Sequence, residues 1–211
     1  MSTAYYTQRP MSSTRRRRRL SYSIPELVDR AVRVLRDGGL LLFPTDTIWG
    51  IGCDATNADA VRRIYQLKER PLGKPFVLLV ADVEQLKQYA GPVHPRIETL
   101  LVHYERPLTV IYDRSYHLPD IVPAPDGSVG IRVAERDDFC RMLLRELGRP
   151  VVATSANMSG APFPQHFGEI TSDVIAGVDH VVPYRQTEKL PNVPSMIVRQ
   201  GEEGELEFLR T

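Results

Sequence analysis

Leu40-Leu41-Leu42-Phe43-Pro44-Thr45-Asp46-Thr47-Ile48-Trp49-Gly50-Ile51-Gly52-Cys53 is the stretch that decides the fold. Leu40–Phe43 is the short apolar run of a buried strand, and Pro44, which lacks a backbone donor, stops it. Thr45-Asp46-Thr47 then gathers three polar side chains at the strand's exit, and a second strand-like run, Ile48–Cys53, follows directly. Upstream, Ser23-Ile24-Pro25-Glu26 has the form of a capping box with proline in the first helical turn. Leu27, Val28, Ala31, Val34 and Leu35 mark one face of that helix, which Gly38-Gly39 ends. Downstream, Asn57 or Asp59 caps a helix over Ala58–Lys68 with Ala60, Val61, Ile64, Tyr65 and Leu67 inward. Pro71 and Gly73 turn the chain out of it, and Phe76–Val80 is the next strand.

The alternation continues to the C-terminus. Asp82-Val83-Glu84-Gln85 opens a helix to about Ala90, and a further helix around Ile97–Tyr104 precedes a strand over Leu108–Tyr112. Beyond a proline-rich loop, Ser128–Val133 reads as strand, Arg136–Leu147 as helix ended by Gly148, and Val151–Ala153 as a buried strand. A helix near Glu169–Ala176, a strand His180–Val182, and strands Ser195–Arg199 and Leu206–Leu209 separated by Gly201 and Gly204 complete the chain. The fold is α/β, and the final strands, which have no helix between them, favour a mixed sheet.

The 211 residues fit one domain with a sizeable core, and the 42% hydrophobic and 25% charged content is that of a globular protein. No apolar run approaches the roughly 18 residues of a spanning helix, which excludes a helical membrane protein. The two cysteines, Cys53 and Cys140, are too few for a disulfide framework and lack C-x-x-C spacing, so a reducing, cytoplasmic setting is expected. The net charge of +1 conceals an asymmetry: residues 1–20 hold six arginines, Arg9 and Arg15 to Arg19, and no acid. That leaves 21 basic against 26 acidic side chains in residues 21–211, a mildly acidic body unlike a general nucleic-acid binder. Residues 1–20 read as a disordered basic tail, either a solvated extension or an arm that contacts RNA or directs targeting, and residues 21–211 as the folded domain.

Three clusters carry candidate chemistry at strand exits or helix ends, where open α/β sheets place ligands. Thr45-Asp46-Thr47 suits an amino acid or a metal-bound phosphate, or closes a turn locally. Lys68-Glu69-Arg70-Pro71-Leu72-Gly73-Lys74-Pro75 places three cations on a loop held out of helix, which suits a triphosphate; the alternative is cations complementing a helix C-terminus. Thr154-Ser155-Ala156-Asn157 offers hydroxyls, an amide and backbone N–H groups to a phosphate or ribose, or forms a plain loop. Neither a P-loop nor a G-x-S-x-G nucleophile elbow occurs. His94, His103, His117, His166 and His180 lack paired metal spacing, so no metal ligands are assigned. Trp49 reads as core or as a pocket floor, and Cys53, within an apolar strand, as inert.

Taken in order, Phe43-Pro44-Thr45-Asp46-Thr47-Ile48-Trp49-Gly50-Ile51-Gly52, Lys68-Glu69-Arg70-Pro71 with Lys74-Pro75, Pro107-Leu108-Thr109, Val129–Val133, Thr154-Ser155-Ala156-Asn157 and Pro194-Ser195 resemble the YrdC family of L-threonylcarbamoyladenylate synthases. The resemblance implies a twisted mixed β-sheet with flanking helices and a concave, positively charged groove. It implies an enzyme, a nucleotidyltransferase that makes threonylcarbamoyl-AMP and pyrophosphate from L-threonine, bicarbonate and ATP, with Mg²⁺, for tRNA threonylcarbamoyladenosine modification. By the same resemblance Lys68 and Arg70 are catalytic, and Lys68, Arg70, Lys74, Ser155, Asn157 and Arg210 bind ATP. Thr45, Arg132 and Ser195 form the L-threonine pocket. Downstream tRNA-modifying transferase proteins are the implied partners, with tRNA or another RNA as a further one and no membrane. The chain departs from the family pattern at Glu105-Arg106-Pro107, Trp49 and Met196, and reads as the compact, single-domain form. The competing readings are a YciO-like paralogue and a non-catalytic RNA-binding factor.

Overall fold

The computed structural model describes residues 22–190, 193–201 and 205–210. The expectations for residues 1–20 and for Gly204 lie outside the described residues.

Local signals fix the element ends. Helix α1 (Ile24–Arg36) opens where the Glu26 carboxylate accepts hydrogen bonds from both the backbone N–H and the hydroxyl of Ser23, each at 2.8 Å. α2 (Ala58–Leu67) is capped by Asn57, whose Oδ1 accepts from the N–H groups of Asp59 and Ala60 at 3.1 Å. Asp82 caps α3 (Val83–Ala90) through Gln85 N–H, and Asp137 caps α5 (Asp138–Leu147) through Cys140 N–H. α4 (Pro95–His103) starts two residues earlier than the sequence suggests, because His94 Nδ1 accepts from Arg96 N–H. Gly148 ends α5 in the left-handed conformation, with φ at +71°. The helix expected over Glu169–Ala176 is instead a 3₁₀ turn, Phe167–Glu169, followed by α6 (Ser172–Gly177). Ile170 and Thr171 between them are extended, which prevents one continuous helix.

The strands are β1 (Leu41–Pro44), β2 (Trp49–Asp54), β3 (Val77–Val80), β4 (Leu108–Tyr112), β5 (Val129–Val133), β6 (Val151–Ser155), β7 (His180–Val181), β8 (Met196–Gln200) and β9 (Leu206–Arg210). Among the described residues they form one sheet in the order β7-β1-β2-β6-β3-β5-β4-β8-β9. The pairs β1–β7, β3–β5 and β4–β8 are parallel and the others antiparallel, so the sheet is mixed, as expected.

Strand alternation sends successive side chains to opposite faces. On one face Ile51, Cys53, Leu78, Val80, Val110, Ile131, Val152 and Val198 pack with Val61, Ile64 and Tyr65 of α2, Leu86 of α3 and Ile97 of α4. On the other, Leu41, Phe43, Leu79 and Val151 pack beneath α1 and α5 through Leu27, Ala31, Leu35, Phe139 and Leu143. Val32 rather than Val34 completes the buried stripe of α1. Gly52 lies on this second face, where a Cβ would stand 2.5 Å from the Val152 carbonyl and 2.8 Å from the Phe43 ring. α1 and α5 do not cover the whole of that face. Further along it Val77, Arg132 and Ile197 line an open cavity of about 430 Å³.

Candidate active site

The polar exit of β1 becomes one wall of this cavity. Thr45 Oγ1 donates to the Ile48 carbonyl at 2.9 Å and accepts from the N–H groups of Thr47 and Ile48 at 3.1 and 3.2 Å. Such a self-closing turn is what a short hydroxyl side chain favours after a strand. The Thr45 and Thr47 hydroxyls lie 2.8 Å apart, and both residues line the cavity.

Arg132, only 5% exposed, projects from the middle of β5 into the same space. Its Nη1 donates to Thr47 Oγ1 at 2.9 Å, and its Nη2 stands 3.2 Å from Asp46 Oδ1. Its Nε is buried with no hydrogen-bond partner in the protein. A charge this deep needs the ion pair and the hydroxyl to hold it. Opposite, Ser195 Oγ and Thr109 Oγ1 are 2.7 Å apart, and Arg210 donates from Nε and Nη2 to the Ser195 carbonyl at 3.1 and 2.6 Å. β9 thus delivers Arg210 to the segment before β8.

The loop after α2 supplies two further cations. Arg70 donates from Nε to the Lys74 carbonyl at 3.0 Å and from Nη2 to the Pro75 carbonyl at 2.8 Å, while its guanidinium carbon lies 4.8 Å from the Phe76 ring centroid. Burial lowers the Arg70 and Arg210 pKa values, but guanidinium groups remain cationic near neutrality. Arg70, Lys74, Arg132 and Arg210 line the cavity together with Ser155 and Phe163. Among the described residues four cations and no carboxylate, histidine or cysteine line it, a wall that suits an anion.

Lys68 and Asn157, expected at the nucleotide, stand behind that wall. Lys68 is 1% exposed, and its Nζ donates to the Ser155 carbonyl at 2.5 Å and to the Asn157 carbonyl. Burial, with Arg70 nearby, pushes its pKa down to about 8. Asn157 Nδ2 donates to the carbonyls of Met158 and Ala161. Both residues shape the Ser155–Asn157 loop from behind. The other expected residues, Thr45, Arg70, Lys74, Arg132, Ser155, Ser195 and Arg210, all reach the cavity. Sequence reasoning overlooked Phe163, for which the only signal is an aromatic between two prolines just after the Ser-Ala-Asn loop.

Trp49 lies in the core, fully buried, with its ring centroid 5.0 Å from that of Phe167. Cys53 is also buried, and burial raises its pKa far above the ordinary thiol value. Among the described residues no group of three or more His, Cys, Asp or Glu side chains can hold a metal ion, and no helix is long and apolar enough to cross a membrane. Among the described residues a Mg²⁺ ion would find no carboxylate on the cavity wall, so that lining does not fit a resident metal.

A family model, Sua5/YciO/YrdC, described as "Telomere recombination", matches residues 33–211. The threonylcarbamoyl-AMP synthase of Bacillus subtilis is 35% identical over 164 residues, covering 75% of this chain and 47% of the relative. That of Marinobacter nauticus is 31% identical over 148 residues, covering 69% and 77%. That of Pyrococcus abyssi is 30% identical over 181 residues, covering 81% and 53%. The chain therefore spans about half the length of the Bacillus and Pyrococcus relatives. Among solved structures, P. abyssi Sua5 complexed with L-threonine superposes with a TM-score of 0.79 at 26% identity, over 90% of this chain and 55% of that one. Escherichia coli YciO shares the fold, with a TM-score of 0.72 at 23% identity over 88% and 91% of the two chains.

Proposed function

The chain belongs to the Sua5/YciO/YrdC family, and from that premise we propose that it is a threonylcarbamoyl-AMP synthase, with residues 21–211 as its catalytic domain. In the proposed reaction the amine of L-threonine adds to the carbon of bicarbonate and water leaves, giving the N-carboxylated amino acid. A carbamate oxygen then attacks the α-phosphorus of ATP, the bond to the β-phosphate oxygen breaks, and pyrophosphate departs. The threonylcarbamoyl-AMP product serves cytoplasmic tRNA-modifying transferases, and tRNA is the downstream acceptor.

The observation that carries this reading is the cavity wall, which among the described residues holds four cations and no carboxylate, beside buried threonine and serine hydroxyls. Arg70, Lys74 and Arg210 bind the triphosphate and stabilise the charge that develops on the leaving pyrophosphate. Ser155 contacts the nucleotide, and Lys68 and Asn157 hold its loop from behind, so their contribution to ATP use runs through the loop. Arg132 receives the threonine carboxylate, with Thr45 and Ser195 beside it. Among the described residues the wall carries no histidine, cysteine or carboxylate to serve as nucleophile or base, so catalysis is positioning and electrostatics. Mg²⁺ carried in with the triphosphate substrate would supply charge neutralisation there, and no residue of the wall is assigned to hold it.

The test is pyrophosphate release from ATP with bicarbonate and Mg²⁺, comparing L-threonine, L-serine and no amino acid, with the adenylate followed by mass spectrometry. Threonine-dependent formation of threonylcarbamoyl-AMP is the expected result. A folded protein that releases no pyrophosphate in any condition would overturn the reading.

A further inference from the structure

Arg185 lies outside the cavity wall and outside every motif discussed above. It follows β7, and its φ of +53° lies in the left-handed region that a non-glycine residue seldom occupies. Such backbone persists where the surroundings over-determine it, and here they do. Nε donates to Glu188 Oε2 at 2.8 Å; Nη1 lies 3.6 Å from Asp137 Oδ2 and donates to the Thr45 carbonyl at 3.4 Å. The preceding residue, Tyr184, packs its ring 5.8 Å from that of Phe139 on α5. Asp137 is itself buried and committed at Oδ1 to the N–H of Cys140, so the guanidinium faces a carboxylate fixed at the start of α5.

The Thr45–Ile48 turn joins β1 to β2, whose last pair is Pro44 with Trp49. Among the described residues its side-chain hydrogen bonds close on the turn itself or on Arg132, and Arg132 depends on Thr47 and Asp46 in return. Among the described residues Arg185 supplies the hydrogen bond from the turn's own backbone toward the start of α5, at the Thr45 carbonyl; one residue earlier, the Pro44 carbonyl lies 3.9 Å from Cys140 Sγ of α5. We propose that Arg185 is a positioning residue. It ties the Thr45 carbonyl to the N-terminus of α5, and through Thr47 it fixes the Arg132 guanidinium in the orientation that receives the carboxylate of an α-amino acid. This deepens the synthase reading and rests on it for the identity of the substrate.

Two measurements on the full chain test it. In Arg185→Ala the KM for L-threonine rises about tenfold, while kcat and the KM for ATP stay within about twofold, since the cations for the triphosphate lie on other elements. Arg185→Lys recovers part of the loss, because one ammonium reaches the carbonyl or the carboxylate but not both in a planar fork. Glu188→Ala, which removes only the exposed partner, leaves all three constants unchanged. A merely structural role would lower Tm and reduce the active fraction without singling out threonine. The second measurement is independent of the reaction: amide hydrogen exchange across residues 45–48 quickens about tenfold in Arg185→Ala. Unchanged exchange there, or an equal rise in both KM values, overturns the proposal. Faster exchange in a protein whose wild type makes no adenylate upholds the positioning role and removes the synthase reading instead.

Discussion

Removing the Lys68 ammonium should change how stability depends on pH. Burial holds its pKa near 8 in the folded protein, against an ordinary 10.5. Below pH 8 the lysine is protonated in both states, and the folded state bears the whole cost of the desolvated charge. Between pH 8 and 10.5 the unfolded chain still binds the proton and the folded one does not, so stability rises with pH. At about 1.36 kcal/mol per pKa unit, the gain from pH 7 to pH 10 is about 2.5 kcal/mol. Lys68→Met removes the titration and leaves the carbonyls of Ser155 and Asn157 without that donor, a loss of about 1–3 kcal/mol for each that stays buried and unpaired. At pH 7 this loss is offset in part, because the desolvated charge is gone too. Urea unfolding of both proteins at pH 7 and pH 10 reads the difference, since every other titrating group is common to the two. The wild type should gain on the variant by about 2.5 kcal/mol over that interval. A gap of the same size at both pH values would refute the desolvation argument and return Lys68 to the solvent.

Gly52→Ala should destabilise the fold by about 1–3 kcal/mol, because its Cβ would meet a backbone carbonyl that cannot yield. A thermal melt reads this as about 2–4 °C for each kcal/mol, whereas Gly50→Ala, whose Cβ finds its first neighbour at 3.4 Å, leaves Tm nearly unchanged. Phe163→Ala should weaken ATP binding about tenfold, because a base stacked on an aromatic ring gains about 1–3 kcal/mol, and should leave inorganic tripolyphosphate binding unaltered. Calorimetric titration with both ligands checks it, and equal loss for the two would contradict a role at the base.

Elements closed by local chemistry were legible in the sequence. α1 starts where its capping box says, and β4 runs over Leu108–Tyr112 as its apolar residues indicate. What depends on distant partners was not. β6 continues past Ala153 to Ser155 because Thr154 and Ser155 pair with Ile51 and Gly50, and no local pattern reports that register. Lys68 at the end of α2 reads from the sequence as a triphosphate ligand or as a cation complementing a helix terminus, and neither reading foresees its burial against a loop 87 residues further along the chain. The converging set of Thr45, Arg70, Lys74, Arg132, Ser195 and Arg210 was readable because each sits in a motif. Arg185 was not, because its contacts join segments that carry no common signal.

β5 places Arg132 in the cavity between Ile131 and Val133, which turn to the opposite, apolar face. The strand is therefore read in a frame of two, like a text in which every other letter belongs to a different message. Inserting or deleting one residue within it would exchange the messages, sending a guanidinium into the core and an aliphatic side chain to the ligand. A pairing error during folding would do the same, and the misplaced charge would oppose it strongly. The residue assigned to recognition is thus also a safeguard of register, and length changes in this lineage should be confined to the loops beyond the strand ends.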